Sequence, residues 1–212
     1  MKRIYASVIC ILIPVILQAK PALEIVLNSS QTTNPFGVAF DGKGTVYVAE
    51  YQGGRILHLN SEGKLRIFSG NGEKGFAGDG LDAGKAVYNG MHNVVRTSNG
   101  DLYVSDTRNN LIRKIDGKTG LVSTIAGVPR QKGFSGDGGQ ATRAKLSDPI
   151  SISLSPDEKT LLIADIKNRR IRGVDLQSGL IRTLAGNGKK GVPEDGEKAT
   201  GQPLTDPRAS AM

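Results

Sequence analysis

The sequence predicts an all-β protein, a β-propeller of four-stranded blades of which about three are present. The first observation is a tandem repeat: LYVSDTRNNLIRKIDGKTGLVSTIAG, from Leu102, is followed by LLIADIKNRRIRGVDLQSGLIRTLAG, from Leu161. A more divergent copy, TVYVAEYQGGRILHLNSEGKLRIFSG, begins at Thr45. The second observation is that each copy holds short runs rich in Val, Ile, Leu and Tyr, with no long 3.6-residue apolar period. Tandem units of four short strands are typical of propeller blades.

The match between the second and third copies is too extensive to arise by chance. Ten residues recur 59 positions later in the chain, and the first copy aligns with the second at an offset of 56. Such small differences in offset are expected where loops gain or lose residues. The ten pairs are Asp106/Asp165, Asn109/Asn168, Ile112/Ile171, Arg113/Arg172, Asp116/Asp175, Gly120/Gly179, Leu121/Leu180, Thr124/Thr183, Ala126/Ala185 and Gly127/Gly186.

The strands of the first copy follow from apolar runs separated by turn residues. We predict strands at Gly37–Phe40, Val46–Glu50, Arg55–Asn60 and Leu65–Ser69. The separators DGKG, YQGG and NSEG are rich in glycine and polar residues and have hairpin lengths. The predicted domain organisation is a signal segment at 1–19 and repeats over 20–212, at approximately 34–88, 89–146 and 147–204, with the start of a fourth at 205–212.

The N-terminus has the layout of a cleavable secretory signal. Lys2 and Arg3 precede the apolar run Ile4 to Leu17, and the small residue Ala19 follows. A buried N-terminal strand or an uncleaved anchor is the alternative, but the run is short for a membrane span. We expect a secreted or periplasmic protein with no stable membrane span after cleavage. The single cysteine, Cys10, would be lost with the signal, so no disulfide is expected in the mature chain.

The basic composition does not indicate a nucleic-acid partner. The formal net charge is +8, of which the signal segment contributes two charges, and aromatic residues make up 5%. Lys and Arg are scattered through every segment, with no run longer than two. Solvated strand faces explain this distribution better than a nucleic-acid surface, and an exported protein meets little nucleic acid.

The motifs of the repeat resemble the NHL-repeat β-propellers. The residues that carry the resemblance are YVSD-TRNN-LIRKID and TIAG, together with a GDG connection that resembles the bacterial exported subtype of this family. The resemblance covers about residues 21–207. It implies blades that close into a ring, normally of six. The pattern departs from the family in the first copy, where Glu50 replaces the repeat Asp and Gly53-Gly54-Arg55 replaces the Asn-His-Leu signature.

The GDG connection recurs as GFAGDG, GFSGDG and GVPEDG, with Asp79, Asp137 and Asp195 at equivalent positions. We expect it to link one blade to the next, with glycines at positive φ and an Asp that accepts N–H bonds from the following turn. A phosphate loop would need Gly-Lys-Ser/Thr. A calcium loop would need further oxygen ligands, which the copies do not keep: Asp82 becomes Gln140 and Lys198.

Polar residues also recur after the second strand of each copy. Asp106 and Asp165 end that strand, and Asn109 and Asn168 lie in the turn that follows. Side chains of this kind bond backbone N–H groups and hold hairpins, and an Asp there could pair with the Arg of the next strand. A ring of metal-binding carboxylates is the functional alternative. We favour the structural role, because one site would not need the residue in every copy.

Catalytic residues are sparse. The chain has two histidines, His58 and His92, at different repeat positions, and two histidines are too few for a three-ligand zinc site. No cofactor or metal is expected, and no catalytic residue is assigned. His92, at the start of an inner strand, is the candidate for contact with a ligand. The sequence therefore favours a non-enzymatic binding or scaffold module whose partner is an unknown protein or small molecule. The alternative is a remnant or half-ring of a propeller hydrolase or lyase with a central metal.

Three copies do not complete a ring of six. Ala22 to Ser30, ALEIVLNSS, resembles a lone outer strand, and Leu204-Thr205-Asp206-Pro207 repeats the start of the third copy at Leu146. Exposed strand edges on an open arc are a liability in water. Three explanations stay open: a truncated gene, a homodimer that closes one ring, or an arc completed by another protein.

Overall fold

The computed structural model describes residues 31–211. The predicted signal segment and the predicted strand at Ala22 to Ser30 lie outside the described residues. The described part of the chain contains three four-stranded antiparallel sheets, which we call blades 1 to 3, and its only helices are single 3₁₀ turns. The predicted fold class is therefore confirmed. None of the helices in this range is long or apolar enough to cross a lipid bilayer.

Each blade is a meander in which every strand pairs with the next along the chain. The bounds resemble those predicted for the first copy, although β3 ends before Asn60, because the Asn60 Oδ1 accepts backbone N–H bonds that begin the turn. Blade 1 contains β1 Pro35–Phe40, β2 Val46–Glu50, β3 Ile56–Leu59 and β4 Leu65–Ser69. Blade 2 contains β5 Met91–Arg96, β6 Leu102–Asp106, β7 Leu111–Ile115 and β8 Val122–Ala126. Blade 3 contains β9 Pro149–Leu154, β10 Thr160–Asp165, β11 Arg170–Asp175 and β12 Ile181–Ala185.

The hydrophobic core lies between successive blades. One cluster joins blades 1 and 2 and includes Ile56 and Val104; a second joins blades 2 and 3 and includes Ile112 and Ile163. The inner strands β1, β5 and β9 lie side by side, and each blade begins with one of them. Because strand side chains alternate between two faces, blade 2 buries one face against blade 1 and the other against blade 3.

The approach of β1 to β5 is set by a glycine. A Cβ on Gly37 would lie 2.6 Å from the Cα of Asn93 and 2.9 Å from the carbonyl oxygen of His92. Both are backbone atoms, which cannot rotate away. Gly37 therefore fixes how closely the first two inner strands pack.

We predict that Gly37→Ala lowers the free energy of unfolding by about 1–3 kcal/mol, because the added methyl forces the two inner strands apart. Urea denaturation followed by circular dichroism measures this change. Gly42→Ala is the matched control, since a Cβ at Gly42 meets nothing within 4 Å. Equal stability of the two variants would contradict the close packing of β1 on β5.

Candidate functional site

The GDG connection crosses from one blade to the outer edge of the next. In the first copy Gly78 and Gly80 have φ values of +96° and +78°, which the turn requires and which glycine adopts without strain. The Gly80 N–H donates to the Val122 carbonyl (2.8 Å), and the Val122 N–H donates to the carbonyl of Leu81 (2.9 Å). The connection thus pairs with β8 and covers an edge that would otherwise be open.

The aspartate of the connection does not cap the turn, contrary to the prediction from the sequence. Asp79 instead accepts a hydrogen bond from Arg113 Nη2 (2.8 Å), and Asp137 accepts one from Arg172 Nη2 (2.6 Å). The N–H bond that begins the 3₁₀ turn goes to Asp82 Oδ1, from Gly84. The reason is that β7 and β11 bring a guanidinium beneath each connection, and a charged donor binds a carboxylate more strongly than a backbone amide does.

Each of these arginines also meets the aspartate that ends the second strand. The side chains of Arg113 and Asp106 are fully buried, with Arg113 Nη1 3.6 Å from Asp106 Oδ2. Asp106 Oδ1 accepts from the backbone N–H of Asn89 (2.7 Å), and Asp106 Oδ2 accepts from Asn109 Nδ2 (2.8 Å). We call Arg113 with Asp79 and Asp106 the arginine latch, since it joins an inter-blade connection to the blade that follows.

Blade 3 repeats the arginine latch with Arg172, Asp137 and Asp165. Arg172 Nη1 is 3.6 Å from Asp165 Oδ2, and Asp165 Oδ1 accepts from the backbone N–H of Ser147 (2.7 Å). Asn168 Nδ2 donates to Asp165 Oδ2 at 2.7 Å. The same four positions, occupied by one Arg, two Asp and one Asn, therefore make the same contacts in two blades.

The third connection has no partner of this kind. Asp195 is exposed and forms no ion pair within residues 31–211. Blade 1 lacks the arginine as well, because Leu57 occupies the position that Arg113 and Arg172 take in the later blades. The described part of the chain thus carries two complete arginine latches and one unpaired connection.

This difference gives a matched pair of variants. We predict that Asp79→Ala lowers the free energy of unfolding by about 1–3 kcal/mol, because it removes the closest charge partner of a buried guanidinium. Asp195→Ala changes the same repeat position and should leave stability within about 0.5 kcal/mol. Chemical denaturation of both variants tests this. If Asp195→Ala is as destabilising as Asp79→Ala, the latch does not explain the role of the repeated Asp.

Burial dominates the titration of the two inner aspartates. It raises the pKa of Asp106 to about 7, against the hydrogen bonds from Asn109 and Asn89 and the charge of Arg113, which lower it. It raises the pKa of Asp165 to about 6, against the corresponding contributions of Asn168, Ser147 and Arg172. In both cases the folded pKa lies above the ordinary aspartate value of 3.8.

A folded pKa above the unfolded value means that the native state keeps a proton that the unfolded chain has already lost. We therefore predict that the free energy of unfolding falls as the pH rises from about 4 to 7, in the window set by Asp106 and Asp165. Urea denaturation at several pH values measures the slope. Asp106→Asn cannot titrate at this position and should give a shallower fall than the wild type. Identical slopes would show that Asp106 does not control this dependence.

A second group of candidate site residues lies on the inner strands. Each of these residues is the second residue of its strand. The pairing skips this position in all three blades: Pro35 pairs with Glu50 and Gly37 with Ala49, which leaves Phe36 unpaired in a β-bulge. His92 and Ile150 are skipped in the same way. A bulge re-aims the side chain of its extra residue. We call this the inner position, and Arg208 occupies it in the fourth copy, 58 residues after Ile150.

The four inner positions converge on one cavity of about 340 Å³, lined by Phe36, His92, Ile150 and Arg208. Asn93, Ser151 and Ile166 complete its lining. The Asn93 Oδ1 is buried without a hydrogen-bond partner in the described part of the chain, so an acceptor remains unsatisfied there. A cavity with an apolar lining and a few convergent polar groups is the usual form of a small-molecule site.

His92, the predicted ligand contact, is held by the hydroxyl of Thr107. That hydroxyl donates its one hydrogen to the Pro149 carbonyl (2.7 Å), so it must accept from His92 Nδ1 (2.9 Å). Burial lowers the pKa of His92, and the charge of Arg108 adds to this, whereas the Gly90 carbonyl and Asp148 oppose it. The imidazole is therefore neutral near pH 7.

Aromatic rings surround His92. Phe36 and Tyr51 meet it edge to face, with ring centroids 4.8 Å and 4.6 Å away. Arg108 lies over the Tyr51 ring and donates to the Tyr51 hydroxyl (2.8 Å). Phe36 nevertheless remains 62% exposed, which is unusual for a phenylalanine held in a ring cluster. The cluster thus presents an aromatic wall to the cavity.

Sequence reasoning found His92 but missed Phe36, Tyr51 and Arg208. The signal was present in the repeat alignment, because Phe36, His92, Ile150 and Arg208 share one column, and so do Tyr51, Thr107 and Ile166. Both columns vary from copy to copy. The structure shows that the two columns face each other.

In residues 31–211, no group of three or more His, Cys, Asp or Glu side chains is arranged to hold a metal ion.

Solved structures share this arrangement of strands. A protein of unknown function from Bacteroides thetaiotaomicron VPI-5482 superposes with a TM-score of 0.65 at 16% identity, over 86% of this chain and 43% of that one. An auxiliary nutrient binding protein from Bacteroides ovatus ATCC 8483 gives a TM-score of 0.63 at 18% identity, over 85% and 43%. The sheets are propeller blades. At these identities the likeness concerns the fold alone.

The sequence comparisons are local. Teneurin-1 from Gallus gallus is 42% identical over 83 residues, which is 34% of this chain and 3% of that protein. NHL repeat-containing protein 2 from Bos taurus is 26% identical over 107 residues, or 50% and 14%. The chain thus spans a small part of these relatives and less than half of the two Bacteroides chains. No protein-family model matches it.

Proposed function

We propose that the chain is a non-enzymatic binding module of the NHL-repeat type, exported as its N-terminus predicts, and that it holds a small molecule in the cavity at the inner positions. The observation that carries this proposal is the convergence of four equivalent positions, three of them on β-bulges, on one cavity.

The chemistry of the cavity favours binding over catalysis. The neutral His92 forms a hydrogen bond to a hydroxyl rather than to a carboxylate, so the polarised base of a hydrolytic triad is not assembled around it. Of the other six lining side chains, Phe36, Ile150 and Ile166 are apolar. The similar Bacteroides ovatus structure is that of an auxiliary nutrient binding protein, which is consistent with a cavity of this kind.

We predict that a panel of sugars, amino acids, organic acids and amides contains compounds that raise the melting temperature of the wild-type protein, and that Phe36→Ala weakens their binding about tenfold or more. The reason is that an exposed aromatic ring supplies a large apolar contact at little entropic cost. Thermal shift followed by calorimetry measures both effects. Phe40→Ala, an exposed phenylalanine on the same strand outside the cavity lining, is the control.

Two results would contradict the proposal. One is that no compound of the panel binds, and the other is that Phe36→Ala and Phe40→Ala affect binding equally. Metal analysis of the purified protein tests the alternative, a metal-dependent hydrolase or lyase. If the wild type binds stoichiometric metal and His92→Ala loses it, the hydrolase or lyase alternative replaces the binding proposal. Closure of a ring by two chains stays a separate prediction, which a mass measurement in solution tests.

A further inference from the structure

We infer that the cavity at the inner positions takes an organic anion with one negative charge and an apolar body, such as a monocarboxylate. This inference rests on the proposed function and specifies its ligand. It follows from the single charged side chain in the lining, the exposed Arg208, and from the apolar side chains that line the same cavity.

Arg208 is the charged side chain among those that line the cavity. Its guanidinium forms no ion pair with any residue from 31 to 211, unlike Arg113 and Arg172, which occupy complete arginine latches. A guanidinium binds a carboxylate through two parallel N–H bonds, a geometry that neutral ligands do not match. An unpaired arginine at a cavity wall therefore favours an anionic ligand.

The cavity offers no second cation for a dianion among the described residues. Burial lowers the pKa of His92, which favours the neutral imidazole near pH 7. Arg108 is not among the lining residues and is already bonded to the Tyr51 hydroxyl through Nε (3.1 Å) and Nη2 (2.8 Å). One negative charge on the ligand is thus balanced by Arg208, whereas a second would have no charged partner in the lining.

The lining also includes three apolar side chains. They are Phe36, Ile150 and Ile166, of which Ile166 is buried while Phe36 exposes most of its ring. A ligand with only a charged group, such as inorganic phosphate or sulfate, would leave this surface in contact with water. An aromatic or branched aliphatic body covers it and gains the free energy of removing apolar area from water.

The experiment compares ligands that differ only in charge. Benzoate and benzamide have nearly the same shape, and so do hexanoate and hexanamide. We expect each carboxylate to bind the wild-type protein about tenfold or more tightly than its amide in titration calorimetry at low salt, with the preference falling as salt screens the ion pair. Arg208→Gln should reduce the preference to within about threefold while the amides bind as before. Arg66→Gln, at an exposed arginine on β4, is the control and should keep the full preference.

Each outcome decides between distinct conclusions. Equal binding of the carboxylates and amides, or a preference that survives Arg208→Gln, overturns the assignment of an anion but leaves the proposed binding function intact. Phthalate binding as tightly as benzoate overturns the limit of one charge. If none of these compounds binds while neutral compounds of the wider panel do, the anion assignment fails and the proposed function stands. If nothing in either panel binds, both fail.

Discussion

The architecture depends on a buried guanidinium that holds two carboxylates from different parts of the chain. Arg113 cannot lose its charge, so its burial is favourable only if a counter-charge and hydrogen-bond acceptors accompany it. Asp106 comes from the neighbouring strand of the same blade, whereas Asp79 comes from the connection that leaves the preceding blade. The electrostatic requirement of one side chain thereby fixes the path of an inter-blade connection. The aromatic ring of Phe76, 4.9 Å from the guanidinium carbon, covers what remains of it.

This constraint positions the inner strands. Arg113 binds Asp79 of the connection, and the connection pairs with β8. The small residues that follow, Ala83 and Ala86, are thereby directed into the space between the blades, where they are buried. The chain then has a defined route to the start of the next inner strand. Because the route is the same in successive copies, equivalent residues arrive at equivalent places. The bulged inner positions of blades 2 and 3, His92 and Ile150, are therefore delivered to the same cavity.

The sequence contained enough information to predict the blades and their connections, because periodicity, turn residues and repeated spacing are local signals. It did not predict the partner of Asp79. Asp79 and Arg113 are 34 residues apart, and a capping role was the reasonable expectation for an Asp between two glycines. The cavity was hidden for a related reason. Phe36, His92 and Ile150 are far apart along the chain, and only the register shift in each inner strand, which the sequence does not display, turns them to one point.

The contacts between successive blades also indicate how blade 1 and blade 3 could pack against each other in two copies of the chain. A second copy placed with its blade 1 against blade 3 would bring the third connection over Leu57 instead of an arginine. In the third connection Val192 occupies the position that Phe76 and Phe134 occupy in the first two. The third connection therefore lacks the aromatic ring, just as blade 1 lacks the arginine that such a ring would cover. Val192 is 84% exposed and would gain an apolar neighbour in Leu57, whereas Asp195 would gain no counter-charge. Contact between such end blades would therefore rely on apolar packing alone, and Asp195 would have to stay in water at its margin.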